Sequence, residues 1–264
     1  MDDSSNEGNV RVEFSDDGYE STIVVDRERK LNALTLDMLR QLENACRDIS
    51  ASKARVVVLR TAGDKVFCVV ADINHFRGIS AVDMWREWVA AGHRAFDHLA
   101  SLRQPTIAVI DGLAFGGGLE LALACDIRIM ADSARLSLPE VGLGAVPGWG
   151  GTERVTEIVG RSRAKELIFT RRQLTASEAL QWGIVNRISD REHLEEQCQS
   201  LVVEMMAGAP VALQLAKQII DGAADGAPSS LLEALASGVA AATSDLLEGT
   251  TAFGEKRPPI FKDE

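Results

Sequence analysis

Val56-Val57-Val58-Leu59 is an unbroken run of large aliphatic residues, and no other stretch restricts the fold of this chain as much. A strand wetted on one face alternates apolar with polar side chains. An unbroken run marks a strand buried on both faces, which needs further layers of structure on either side. The strand extends over Arg55 to Arg60, and Thr106 to Ile110 reads as another of the same kind. Around them the pattern switches to helical spacing. Leu34 to Ile49 sets Leu34, Met38, Leu42, Ala45 and Ile49 on one stripe, with Thr35 placed to cap its start. Met84 to Leu102 is predicted as one long helix ending before Pro105, and Gly118 to Ala124, Ser162 to Phe169 and Ala176 to Trp182 as shorter ones. Thr22 to Val25, Asp126 to Met130, Ala134 to Leu138 and Val185 to Ile188 are predicted strands. Strands alternating with helices in this way build an α/β body.

From about Glu192 the pattern changes. Helical segments dominate (His193 to Met206, Val211 to Gly222, Ser229 to Leu247), broken at Gly208 to Pro210 and Gly226 to Pro228. The expected organisation is a loose polar tail over 1–10, an α/β body over 11–191 and a helical section over 192–264 that ends in an extended, docked Arg257-Pro258-Pro259-Ile260-Phe261. A net charge of −11 argues against a nucleic-acid partner, which requires a basic surface. The start has no apolar h-region, and no apolar run reaches the ~18 residues of a membrane span, so the expectation is a soluble chain with no membrane partner. Cys46, Cys68, Cys125 and Cys198 are far apart and form no C-x-x-C pair, which fits reduced thiols and a cytoplasmic setting. His75, His93, His98 and His193 form no metal-binding spacing with one another or with the cysteines, so no metal is expected.

Two glutamates carry the chemistry. Glu120 follows Gly116-Gly117-Gly118-Leu119, and Glu140 follows Ser137-Leu138-Pro139, upstream of Pro147-Gly148-Trp149-Gly150-Gly151-Thr152. A glycine run opening a helix presents bare backbone N–H groups and the positive end of the helix dipole. Two carboxyls beside such a pocket form a device for moving protons next to a stabilised enolate.

The chain resembles the enoyl-CoA hydratase/isomerase (crotonase) family from about Thr22 to Lys262. The blocks that carry the resemblance are Leu31-Asn32-Ala33-Leu34, Lys65-Val66-Phe67-Cys68 leading to Ala71-Asp72-Ile73, Asp111 through Glu120 running on to Cys125-Asp126, Pro139-Glu140, the Pro-Gly-Trp-Gly-Gly-Thr loop, and Ala252-Phe253-Gly254-Glu255-Lys256-Arg257. Each is weak alone; their shared order is specific. The resemblance implies a spiral of ββα units and a helical trimerisation region, assembled as a homotrimer or homohexamer. It implies an acyl-CoA thioester substrate, as in fatty acid metabolism, and no separate cofactor, coenzyme A being part of the substrate.

By that resemblance, the backbone N–H groups of Ala71 and Gly117 form the oxyanion hole, where loss of one donor costs on the order of 3 kcal/mol. Glu120 would activate water for attack at C3, and Glu140 would exchange the proton at C2. Retention of both acids favours a hydratase, or the reverse dehydratase, over an isomerase, which needs only one proton shuttle. Arg29, Lys30 and Lys256 stand where family cations meet coenzyme A; Asp72 and Ile73 flank the oxyanion segment. Trp149 and Phe115 are candidates for lining the acyl pocket, with packing of the body as the other role open to Trp149. One departure stands out. The family's Ala-Gly-Ala-Asp is here Val69-Val70-Ala71-Asp72, which narrows the pocket or redirects the Ala71 N–H if the family's glycine uses a positive φ, and only reshapes a wall if it does not. Other enolate-forming reactions on the same scaffold (isomerisation, thioester hydrolysis, decarboxylation, carbon–carbon cleavage) and a non-catalytic acyl-CoA-binding oligomer are the remaining readings.

Overall fold

Val56–Thr61 is a strand (β3) with five of its six residues buried, and it lies inside a six-stranded sheet. The structure is a computed structural model, and it describes residues 8–69 and 78–264. The sheet runs in the order β1 (Asn9–Phe14), β2 (Glu20–Asp26), β3, β5 (Thr106–Ile110), β7 (Ile127–Ala131), β10 (Arg187–Ser189). Only β1 is antiparallel to its neighbour. A second, four-stranded sheet holds β4 (Cys68–Val69), β6 (Leu113–Phe115), β8 (Arg135–Ser137) and β9 (Leu174–Thr175) in that order.

From β3 to β8, consecutive strands fall alternately into the two sheets. β5 goes to the large sheet, β6 to the small one, then helix α3 (Gly117–Leu123) follows; β7, β8 and helix α4 (Gly151–Thr170) repeat the sequence. This is a ββα repeat, and it explains why β3 and β5 are mostly apolar: they are central strands covered on both faces. Helix α1 (Leu36–Ala51) buries the stripe Met38, Leu39, Leu42, Ala45, Cys46 and Ile49, and Thr35 caps it through a 3.2 Å bond from the Met38 N–H. Helix α2 (Ala90–Ala100) packs on α1.

Several boundaries depart from the sequence expectation. The first strand starts at Asn9, inside the segment read as a tail, because Val10 pairs with Val25 and its N–H donates to Gln41 Oε1 at 2.6 Å. The long helix from Met84 is a turn, Ala81–Asp83, then a π-helical stretch, Met84–Val89, and then α2. The helix expected over 162–169 is present as the second part of Gly151–Thr170. The first part, which winds out of the glycine-rich loop at Gly151, is not part of that expectation, and Gly160, whose φ of 76° no helix permits, separates the two.

The chain divides into two compact units, one comprising 1–102 and 106–198, the other 103–105 and 199–264. All the strands above belong to the first; helix α5 (Ala176–Trp182) lies there too, and α6 (Leu194–Met206) runs across the boundary. The second unit holds α7 (Pro210–Ala224), α8 (Ser229–Ala241) and α9 (Ser244–Glu255). The single helix expected over 229–247 is two, with Thr243 capping the second through the Leu246 N–H. The C-terminal tail docks on α9. Arg257 grips Glu248 with two nitrogens (2.6 and 2.9 Å), and Asp245 accepts from the Lys262 and Asp263 N–H groups. An apolar hollow of about 420 Å³ is lined by Ala212, Leu246, Phe253 and Phe261 among others.

Candidate active site

β6 and β8 are parallel neighbours with Phe115 opposite Ser137, so the chain leaves both strands at the same end of the small sheet. After β6 comes α3 with Glu120; after β8 comes Pro139 and then Glu140, at the start of a short 3-10 turn. Two glutamates 20 positions apart in sequence are thereby delivered side by side. β4 flanks β6 on its other edge, Val69 opposite Phe115, and its chain also leaves at that end. Ala71, Asp72 and Ile73, together with Val70, lie outside the described residues. Val69 itself has an ordinary extended backbone, with no positive φ.

Each glycine of the triplet has its own physical reason. Gly116 has φ 56° and ψ −127°, open to glycine alone, and its N–H donates to the Ser137 carbonyl at 2.9 Å. A methyl on Gly117 would lie 2.6 Å from Cζ3 of Trp149, and one on Gly118 2.0 Å from the backbone oxygen of Cys68. The first intrahelical bond of α3 runs from the Glu120 N–H to the Gly116 carbonyl, so the N–H groups of Gly117, Gly118 and Leu119 have no acceptor within the helix.

The two carboxyls differ in their partners. Glu120 is 2% exposed, and its Oε1 accepts from the N–H of Trp149 at 2.8 Å and of Gly151 at 2.9 Å. Burial pushes its pKa up, and those two N–H groups act against the rise. Glu140 is 9% exposed, and neither of its oxygens has a hydrogen-bond partner among the described residues. Burial, with the charge of Glu120 adding to it, pushes Glu140 up to about 7. A buried acid with no partner, raised toward neutrality beside a second acid that is held, marks a candidate functional site, and its burial costs the fold stability once it ionises.

Trp149 turns inward at 2% exposure. Its ring packs against Trp88 (centroids 5.1 Å apart) and Phe96 (5.4 Å), and its Nε1 donates to the Trp88 carbonyl at 3.3 Å. The ring thus packs within the body, which is one of the two roles open to it from sequence. Phe115 is half-buried on β6, while Leu143 and Val146, on the loop between Glu140 and Trp149, are exposed. Arg29 and Lys30 are exposed on the 3-10 turn Glu28–Lys30, whose neighbour Leu31 accepts from the Val69 N–H at the end of β4. Lys256 ends α9 in the second unit with φ 56°. The residues missed from sequence are the donors to Glu120: a backbone N–H is common to every non-proline residue and carries no signature of its own. His93 and His98 sit half-exposed on α2.

Residues 20–264 match the family model described as enoyl-CoA hydratase/isomerase. The chain belongs to the enoyl-CoA hydratase/isomerase family. It is 36% identical over 244 residues to the short-chain-enoyl-CoA hydratase of Clostridium acetobutylicum, covering 91% of this chain and 93% of that one. It is 35% identical over 247 residues to the crotonyl-CoA hydratase of Syntrophomonas wolfei, covering 91% and 94%. A crystal structure of enoyl-CoA hydratase from Bacillus anthracis superimposes with a TM-score of 0.92 at 37% identity, over 97% of this chain and all of that one. The fold is therefore the crotonase fold with its helical C-terminal region, and the chain is an enoyl-CoA hydratase-like enzyme. The glycine run and the two glutamates singled out from sequence meet in one place in the first unit.

Proposed function

We propose that the protein adds water across the C2–C3 double bond of a 2-enoyl-CoA thioester, or removes it in the reverse direction. The observation that carries this reading is the glutamate pair itself: two adjacent buried carboxyls, one tied by backbone N–H groups and one untied and poised near neutrality. Hydration needs one group to take a proton from water and another to deliver one to carbon. Glu120, with Oε1 anchored, keeps Oε2 for the water; as the water oxygen bonds to C3, its proton passes to Glu120. Electron density moves to the thioester oxygen, which the N–H groups of Gly117 and Ala71 receive. Glu140 then gives its proton to C2, so the pair holds one proton before and after the step.

The reading extends to the remaining assignments. Arg29, Lys30 and Lys256 hold the phosphates of coenzyme A, Asp72 and Ile73 flank the thioester, and the working form is a homotrimer or homohexamer. The reaction consumes the conjugated enone, so loss of its absorbance is the direct signal. With crotonyl-CoA, wild-type protein should bleach that absorbance, and Glu120→Gln and Glu140→Gln should each lower the rate by about a thousandfold or more while binding is retained. A near-wild-type rate in either variant removes that residue from the mechanism. Binding without bleaching would move the assignment to another enolate-forming reaction. Because the active state carries one shared proton, kcat/KM should fall on the alkaline side with an apparent pKa of about 7.

A further inference from the structure

The indole of Trp149 spans the gap between two helices. A methyl built on Gly92 of α2 would lie 2.0 Å from Cδ1, 2.1 Å from Nε1 and 2.3 Å from Cγ; one built on Gly117 of α3 would lie 2.6 Å from Cζ3 and 2.9 Å from Cε3. The five-membered edge thus rests directly on the backbone of α2, and the six-membered edge on the backbone that opens α3. The same residue's N–H holds Glu120 Oε1, and its carbonyl accepts from Arg154, which also pairs with Asp97 of α2. Glycine at 92 and at 117 is what admits the ring at both ends.

We propose that Trp149 is a positioning residue: its ring, clamped between Gly92 and Gly117, fixes the opening of α3 and the Glu120 carboxylate relative to α2. The proposal rests on Glu120 as the base of the hydration reading, and it goes beyond that reading in naming what sets the geometry. A ring in contact at both of its ends transmits a displacement from one helix to the other, since packed interiors do not yield by compression. Sub-ångström misplacement of reacting groups reduces turnover more than binding. The ring acts through Glu120 and the opening of α3, so its effect belongs in kcat and in the ionisation of Glu120.

The experiment uses Gly92→Ala, whose new methyl meets only the indole among its nearest neighbours, alongside Trp149→Leu, Trp149→Phe and the Gly92→Ala/Trp149→Leu double variant. Three quantities are read: kcat and KM with crotonyl-CoA, the 13C carboxyl titration of Glu120 (identified by its loss in Glu120→Gln), and the melting temperature. Gly92→Ala should lower kcat by on the order of tenfold to a hundredfold with KM changed less than about twofold. Its Glu120 titration should move to higher pH, because the N–H groups that favour the ionised form lose alignment. Trp149→Leu should lose a similar factor and Trp149→Phe should recover most of it. In the double variant the added methyl should cost nothing further, since the ring it strikes is gone. Additive losses, or a lower melting temperature with kcat and the titration unmoved, would overturn the proposal and leave Trp149 as packing. If wild-type protein does not bleach crotonyl-CoA, the hydration reading fails by itself. The Glu120 titration, which needs no substrate, still decides whether the ring sets that carboxylate.

Discussion

Glu140 lowers the stability of the fold it sits in. A carboxyl whose pKa rises from 4.5 to about 7 on folding gives up about 3 kcal/mol once ionised. The sign follows from the protonation states. Below the unfolded value both states hold the proton and there is no cost. Between 4.5 and about 7 the unfolded chain ionises while the folded one does not, so the cost grows with pH and is complete above the folded value. Glu140→Gln removes this dependence. Its stability relative to wild type should therefore improve by about 3 kcal/mol between about pH 4 and about pH 8, as followed by urea unfolding. A flat difference across that range would mean that Glu140 is solvated or paired in solution. Gaining stability while losing activity is the behaviour of a residue retained for chemistry.

At the scale of elements, the site depends on how β4 is delivered to α3. Asn32, fully buried with φ 56°, donates from Nδ2 to the carbonyls of Ala62 (2.8 Å), Val66 (3.1 Å) and Phe67 (3.1 Å), and its Oδ1 accepts from the Arg27 N–H at 2.9 Å. One side chain thus joins the turn after β2 to the segment that enters β4. Asn32→Ala strands buried carbonyls, and the variant should lose about 2–4 kcal/mol by urea unfolding. An unchanged midpoint would mean that the segment holds its course without the amide. Gly118 imposes the opposite kind of constraint: the Cys68 carbonyl occupies the space of any side chain there, which fixes how closely β4 passes α3.

At the scale of the whole molecule, the second unit leaves many large apolar side chains in water: Ile220 at 68%, Leu235 at 63%, Leu247 at 71% and Phe253 at 87% exposure. Burying such residues contributes roughly 25 cal/mol per Å² of apolar surface, and a patch of this kind normally meets a partner. The expected outcome in sedimentation is a species of three or six copies of the 28.5 kDa chain. Leu247→Asp combined with Phe253→Asp should shift it toward smaller species. A monomer in the wild-type protein at micromolar concentration would remove the assembly from the proposed working form.

Much of this protein was legible without coordinates, and the reason is local. Aliphatic runs mark buried strands, a 3.6-residue stripe marks α1, Thr35 marks its start, and a glycine run before an acid marks a helix opening at a site; all of these act within a few residues. The family resemblance rests on short blocks in order, and each block is a local device of that type. What the tertiary structure decided is non-local. The parallel pairing of β6 with β8 brings Glu120 and Glu140 together. Which acid is tied and which is untied depends on whether a loop residue far along the chain turns its N–H toward Oε1, and sequence cannot express that. The same holds for Trp149: its residue type fits a pocket wall or a packed core equally well. Only the tertiary structure places its ring against two glycines from different helices.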